Sequence, residues 1–275
     1  MKTLREREDK DILTSAGFLV KSRLIDECKL PLFLTVAGSH SYGLERPDSD
    51  IDIRGIYLDP TEKILSLHPG RDTIEGFIGD EQRIDYQLYE FGKFLGMLLK
   101  GNGNMIRMIL SPLTLYYWPD IDWVRITKKF ITRKLCLYYT GYAASQRKRA
   151  MSERGGKALI YTYREIFEGF SVMVTGQPIF DFRKLWQWVT DNKFYKGGLL
   201  DRYFEDPTQE VTDEGWRQFY QEWEVLSARL GEVADKSFLP ESYDGYAELN
   251  HLLYYWRIKG LFLPALSIQK EVSSG

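Results

Sequence analysis

The sequence predicts an α+β protein, in which a mixed sheet with its helices comes first and a helical domain follows. Three observations point there. Strand-like runs are confined to the stretch between Leu30 and Glu90. From about Tyr89 onward, apolar residues recur at helical spacing. A chain of 275 residues with 44% hydrophobic content can also bury a sizeable core. The order strands-then-helices divides the chain into a core over residues 1–118 and a helical domain over 119–275.

The elements follow in order. Leu13, Phe18, Leu19, Leu24 and Ile25 fall at helical spacing, which predicts a helix over about 14–28. "LPLFLTVAG" is continuously apolar, as in a strand covered on both faces. "SDIDIRGIYLD" alternates Ile51 and Ile53 against Asp50 and Asp52, and "EQRIDYQLYE" alternates Ile84, Tyr86 and Leu88 against Arg83, Asp85 and Gln87. "EFGKFLGMLLKG" is a helix stopped by Gly101, and "NGNMIRMILSP" is a short one ended by Pro112. Helices are then expected over about 121–135, 136–152, 156–175, 181–191, 209–234 and 243–260.

Composition excludes several classes. A net charge of −2 rules out a uniformly basic nucleic-acid coat. Cys28 and Cys136 show neither CxxC nor metal-ligand spacing, and read as reduced core thiols of a cytoplasmic protein. His40, His68 and His251 are too scattered for a histidine-rich zinc site. The opening MKTLREREDKD is charged, so no secretory leader is expected, and no apolar run approaches the ~20 residues of a membrane span.

The chemistry concentrates in "GSHSYGLERPDSDIDIRG", Gly38 to Gly55. Asp50 and Asp52 at i and i+2 of a strand share one face, where two like charges repel unless a cation lies between them. Hard oxygen ligands of this kind suit magnesium, which completes its shell with water and substrate phosphates. Gly38-Ser39 at the end of an apolar strand lets backbone N–H groups and a hydroxyl approach a phosphate. A phosphate cradle facing a carboxylate pair describes a metal-dependent phosphoryl-transfer site, in which two ions clamp the attacking and leaving oxygens. Asp85, on the polar face of its own strand, supplies the third acid. Asp80 precedes that strand and is expected to be silent.

These residues carry a resemblance. "AGSHSYGLERPDSDIDIRGIYL" resembles the polymerase-β-type nucleotidyltransferase superfamily, whose signature is a Gly-Ser followed by an acidic-x-acidic pair. "RIDYQLYEFGKFLGMLLKGNGNMI", "YYTGYAASQRKRAM" and "GKALIYTYREIFEG" resemble, more narrowly, the RNA-ligase-associated or RNA-repair-pathway nucleotidyltransferases. The resemblance implies an N-terminal nucleotidyltransferase core, with the helical domain completing the active-site cleft. It also implies that Gly38 and Ser39 hold the β- and γ-phosphates of a nucleoside triphosphate, expected to be ATP. Asp50 and Asp52 would bind two Mg2+ or Mn2+ ions, and Asp85 the ion that activates the acceptor hydroxyl. Lys157 would contact the triphosphate, with Gln146 and Arg147 lining the same cleft as substrate contacts.

The acceptor implied is an RNA end; a protein or small-molecule hydroxyl is the alternative, and a catalytically idle nucleotide-binding regulator is the alternative of another class. The eleven basic residues from Arg125 to Arg164 stand against a single acid, Glu153. That block is either a phosphate-facing surface or an ordinary solvated helix face. Arg54 is either a partner for one of the acids or a substrate contact. The aromatic residues of the helical half, Tyr139 and Tyr163 among them, are expected to be core packing for the most part.

Overall fold

The computed structural model describes residues 4–79, 83–204 and 206–261. The chain groups into two compact units. The first takes in the residues up to Lys100, Asn104–Lys128 and the stretch from Asp244 onward; the second takes in Gly101–Gly103 and Lys129–Tyr243.

The first unit is built on a sheet. Its strands are β1 (Leu30–Ala37), β2 (Ile51–Leu58), β3 (Thr73–Ile78), β4 (Ile84–Glu90) and β5 (Thr114–Tyr117). Among the described residues they form one five-stranded sheet in the order β3-β4-β2-β1-β5. β1 is antiparallel to both β2 and β5, β2 is parallel to β4, and β3 is antiparallel to β4. The sheet is therefore mixed, as expected, although only three of its strands were legible in the sequence.

One face of the sheet is covered by α1 (Leu4–Asp26), which extends further toward the N-terminus than the expected 14–28. Ala16, Val20 and Leu24, four residues apart, form a single helix stripe. They bury Leu34, Val36, Ile51, Ile53, Ile84, Tyr86 and Leu88. The inner residues of β1 are buried throughout, because the opposite face is covered as well. There Phe33 meets Trp123 of α6 (Trp123–Lys128) at 5.4 Å between ring centroids. Phe91 and Phe94 of α4 (Phe91–Leu99) reach the same indole at 6.1 and 6.0 Å. Short helices α2 (Gly38–Tyr42) and α3 (Thr61–Ile64) follow β1 and β2, and α5 (Gly103–Leu110) precedes β5.

α12 (Tyr246–Leu261) belongs to this first unit, so the grouping differs from a single cut at residue 118. The physical reason is Arg257. Its guanidinium donates to Glu90 Oε1 at 2.5 Å and to the Asp59 carbonyl at 3.2 Å, while the Thr61 hydroxyl donates to its own carbonyl at 2.7 Å. Glu90 is at once the N-cap of α4, accepting from the Gly92 N–H at 2.7 Å. Removing one member of a largely buried ion pair strands the other charge. Arg257→Ala is therefore expected to lower stability by about 3 kcal/mol, read from the urea midpoint; a change within ~0.5 kcal/mol would show that the pair does not hold α12.

The second unit is helical: α7 (Leu135–Glu153), α8 (Gly156–Thr175), α9 (Phe182–Asp191), α10 (Leu199–Phe204) and α11 (Asp213–Asp235). α8 is buried along nearly its whole length and packs against the other four. It carries a buried charge cluster, in which Arg164 binds Glu165 and, at 2.7 Å, Glu168, which also accepts from Tyr139 at 2.9 Å. The helix expected over 121–135 is broken. α6 ends at Lys128, and the buried Phe130, Ile131 and Thr132 lead without helix to α7, with the Arg133 N–H donating to the Pro240 carbonyl at 2.9 Å. No helix of the described residues is long and apolar enough to cross a membrane.

Candidate active site

β1 ends at Ala37, and Gly38 turns the chain at φ +62° into the single turn of α2. Two constraints meet at this glycine. A side chain rarely adopts that φ, and a Cβ would collide with Asp52 Oδ2 while lying 2.8 Å from its Cγ. Ser39 and Ser41 are buried beneath the turn, and the Ser41 hydroxyl donates to the Gly38 carbonyl at 2.8 Å. The turn closes at Gly43, also left-handed, whose N–H donates to the Ser39 carbonyl. Next to it, the Nδ1 of His40 is buried with no hydrogen-bond partner among the described residues.

The strand register sets the acids. Ala37 stands opposite Asp52, Asp52 opposite Asp85 on parallel β4, and Asp85 opposite Phe77 on β3. Residues opposite one another in a sheet share a face, so this row carries both carboxylates side by side. The next row on the same face runs Thr35, Arg54, Gln87 and Glu75. Asp50 lies one residue before β2 and is exposed. Asp80 lies outside the described residues.

Each paired acid holds an arginine. Arg54 donates to Asp52 Oδ1 at 3.1 Å, and the Arg83 Nε donates to Asp85 Oδ1 at 2.7 Å. Asp85 first, and the charge of Asp50 after it, hold the Arg83 guanidinium above its ordinary range. Arg54 thus has the partner role left open above. No group of three or more His, Cys, Asp and Glu that could hold a metal ion occurs among the described residues. The donor chemistry of Asp50, Asp52 and Asp85 nevertheless suits a hard divalent ion that draws its other ligands from phosphate and water. Such an ion would exchange with the two guanidinium groups, and half-exposed pairs of this kind are worth little.

In the second unit, Lys157 is the second residue of α8, follows the Gly155-Gly156 turn as expected, and is exposed, with no acid at its Nζ among the described residues. Gln146 is half-buried on α7. Arg147 stacks on Trp223 of α11 at 4.0 Å, which gives it a packing contact. Several arginines of the basic block are paired where they stand. Arg149 pairs with Glu153, Arg154 with Glu210 and Asp213, and Arg164 is buried between its two glutamates. In the first unit Arg125 pairs likewise with Asp122. Tyr139 and Tyr163 are buried, as core packing requires.

Sequence reasoning missed the role of Arg83 as counter-ion and the exposed Phe77 beside it. The signal for the first was present, since Arg83 and Asp85 are two apart on one strand face. The second needed β3, which the sequence did not reveal.

A mixed sheet with a Gly-Ser turn at the end of one strand and carboxylates on the strands beside it defines the polymerase-β-type nucleotidyltransferase class. Residues 26–254 match the RNA repair pathway DNA polymerase beta family, and the chain belongs to that family. Over 163 residues, 56% of the chain, it is 31% identical to the uncharacterized protein MJ0002 of Methanocaldococcus jannaschii, covering 65% of that protein. Over 105 residues, 35% of the chain, it is 30% identical to the uncharacterized protein YcgL of Bacillus subtilis, covering 40% of it. Both alignments span less than two thirds of the relative's own length. The crystal structure of a nucleotidyltransferase-like protein from Exiguobacterium sibiricum overlays on 81% of this chain and 74% of that one at 10% identity, with a TM-score of 0.30, a likeness too low to argue from.

Proposed function

We propose that the chain transfers a nucleoside monophosphate from a nucleoside triphosphate, ATP foremost, to a hydroxyl at an RNA end, with release of pyrophosphate. The observation that supports this most is the row Asp52–Asp85 with Gly38 packed against Asp52, because it joins a Gly-Ser turn to two carboxylates on one sheet face. The acceptor oxygen bonds to the α-phosphorus, the bond from that phosphorus to the bridging oxygen breaks, and pyrophosphate leaves with the electron pair. The acceptor's proton passes to solvent beside Asp85. Gly38 and Ser39 hold the terminal phosphates, Asp50 and Asp52 would hold the metal ions, and Asp85 would hold the ion beside the acceptor hydroxyl. When bound, two Mg2+ or Mn2+ ions supply the positive charge that neutralises the triphosphate and acidifies that hydroxyl.

In this reading residues 1–118 carry the catalytic core. Residues 119–275 contribute Lys157 to the triphosphate, with Gln146 and Arg147 as weaker substrate contacts. Cys136 is buried, as a core thiol should be, whereas Cys28, just past the end of α1, is exposed rather than in the core; both are free thiols, in keeping with a cytoplasmic protein.

A nucleotide-binding regulator is the second reading, and the arginines seated on Asp52 and Asp85 are the observation in its favour. The deciding experiment offers each α-labelled nucleoside triphosphate with magnesium and a hydroxyl-ended RNA, a protein lysate or a small-molecule pool. Label in RNA with equimolar pyrophosphate is the expected result. Label in protein or small molecules moves the acceptor, and binding without pyrophosphate release on any acceptor overturns the transferase in favour of the regulator.

A further inference from the structure

Phe77 is an aromatic ring left open on the same sheet face as Asp85. β3 is an edge strand, and edge strands are ordinarily blunted with charge rather than furnished with bare apolar rings. Yet Phe77 is 58% exposed. It lies opposite Asp85 in the β3–β4 register, so the two side chains share one face. The Arg83 guanidinium lies over its ring, 4.9 Å from the centroid, while its Nε holds Asp85. An aromatic face, a guanidinium and a carboxylate thus sit within one strand pair, and the guanidinium remains half exposed.

We propose that Phe77 and Arg83 form the acceptor platform of the site, taking the last nucleotide of a single-stranded RNA. This rests on the transferase reading, since it is Asp85 that would orient the acceptor hydroxyl. The terminal base stacks on the Phe77 ring, as bases do on aromatic and guanidinium planes irrespective of sequence. With Asp85 engaged in holding a divalent cation, Arg83 would be freed from that carboxylate to meet the neighbouring phosphate. Arg83 thereby neutralises the acid in the empty site and the nucleic acid in the filled one. The platform also relocates the RNA contact from the basic block, where several of the cations are already paired, to the sheet edge beside the acids.

The test is fluorescence anisotropy of a labelled, hydroxyl-ended single-stranded RNA titrated with the full chain and magnesium, repeated over a salt series. Phe77→Ala is expected to weaken binding at least about fivefold, the low end for losing one base stack, and Phe77→Tyr to restore it. Arg83→Gln is expected to reduce the magnitude of the log–log salt slope by about 0.7, one phosphate contact on a single strand. Phe18→Ala removes an equally exposed ring from α1, on the other face of the sheet, and is expected to change neither quantity. Parent-like RNA binding by both Phe77→Ala and Arg83→Gln overturns the platform. So does an absence of salt-dependent RNA binding by the parent chain, or a loss of affinity for an unstructured peptide in place of RNA. Pyrophosphate release is measured separately. If release is absent while the binding pattern holds, the transferase reading fails, and Phe77 and Arg83 remain an RNA-binding surface but not an acceptor platform.

Discussion

Asp85→Asn is expected to bind nucleoside triphosphate and magnesium like the parent chain while transferring at least about 100-fold more slowly, the low end of what a positioned acid-base group contributes. The separation follows from the register. Gly38 packs against Asp52, so in the proposed site the turn and that acid would act on the nucleotide together. Asp85 stands one strand further along the row, toward Phe77. Asp52→Asn is expected to lose both properties, because its carboxylate is the one against the turn, and Asp50→Asn to abolish transfer as well. Titration calorimetry with nucleotide and magnesium, followed by a pyrophosphate assay, reads both quantities. A fully active Asp85→Asn chain would leave the third acid unidentified.

The melting temperature of Asp52→Asn carries further information. Repulsion between bare carboxylates alone would make the asparagine variant more stable. The structure sets Arg54 on Asp52 and Arg83 on Asp85, so the strain is already offset, and losing a half-exposed pair costs less than about 1 kcal/mol. Little change in stability is therefore expected.

Gly38→Val is expected to abolish nucleotide binding and to lower the melting temperature as well. A side chain at φ +62° costs about 1–2 kcal/mol. The new Cβ must also push Asp52 out of the row, so the nucleotide loses its turn and its carboxylate together. Gly38→Ala meets the same collision with less bulk and should fall between. Ser39→Ala removes one hydroxyl, worth about 0.5–1.5 kcal/mol, or up to ~3 kcal/mol if its partner is charged, and should weaken binding without disturbing the fold. Calorimetry on the three variants orders these effects. Parent-like nucleotide binding by Gly38→Val would reduce Gly38-Ser39 to a turn that serves the fold alone.

Local pattern carried much of the architecture. Alternation in "SDIDIRGIYLD" and "RIDYQLY" marked β2 and β4, and the continuous run of β1 announced burial on both faces, because side-chain period and burial are local properties of a strand. α8 begins at the expected residue because Gly155-Gly156 precedes an unbroken helical pattern. The two edge strands were not legible. β3 is interrupted by Gly76, whose missing side chain leaves room for the Tyr86 hydroxyl, and β5 is four residues long. The break after α6 was hidden too, since "FITRKL" reads apolar at helical spacing whether or not its backbone is helical.

The acids divide along the same line. That Asp50 and Asp52 flank a common strand start, and that a Gly-Ser turn precedes them, is written in consecutive residues. That Asp85 stands opposite Asp52 was decided only by the tertiary structure. β2 and β4 are parallel neighbours although the chain between them first forms β3, on the far side of β4, and no sequence period reports which strand will lie beside which. The same crossover sets Arg83 near Asp50 and Phe77 beside Asp85, and Arg257 ties α12, distant in sequence, to Glu90 at the end of β4. Spacing along the chain sets which groups share a strand face. Which faces meet depends on how burial of the apolar stripe on α1 and of the rings around Trp123 closes the sheet, a long-range balance of packing that no short window of sequence contains.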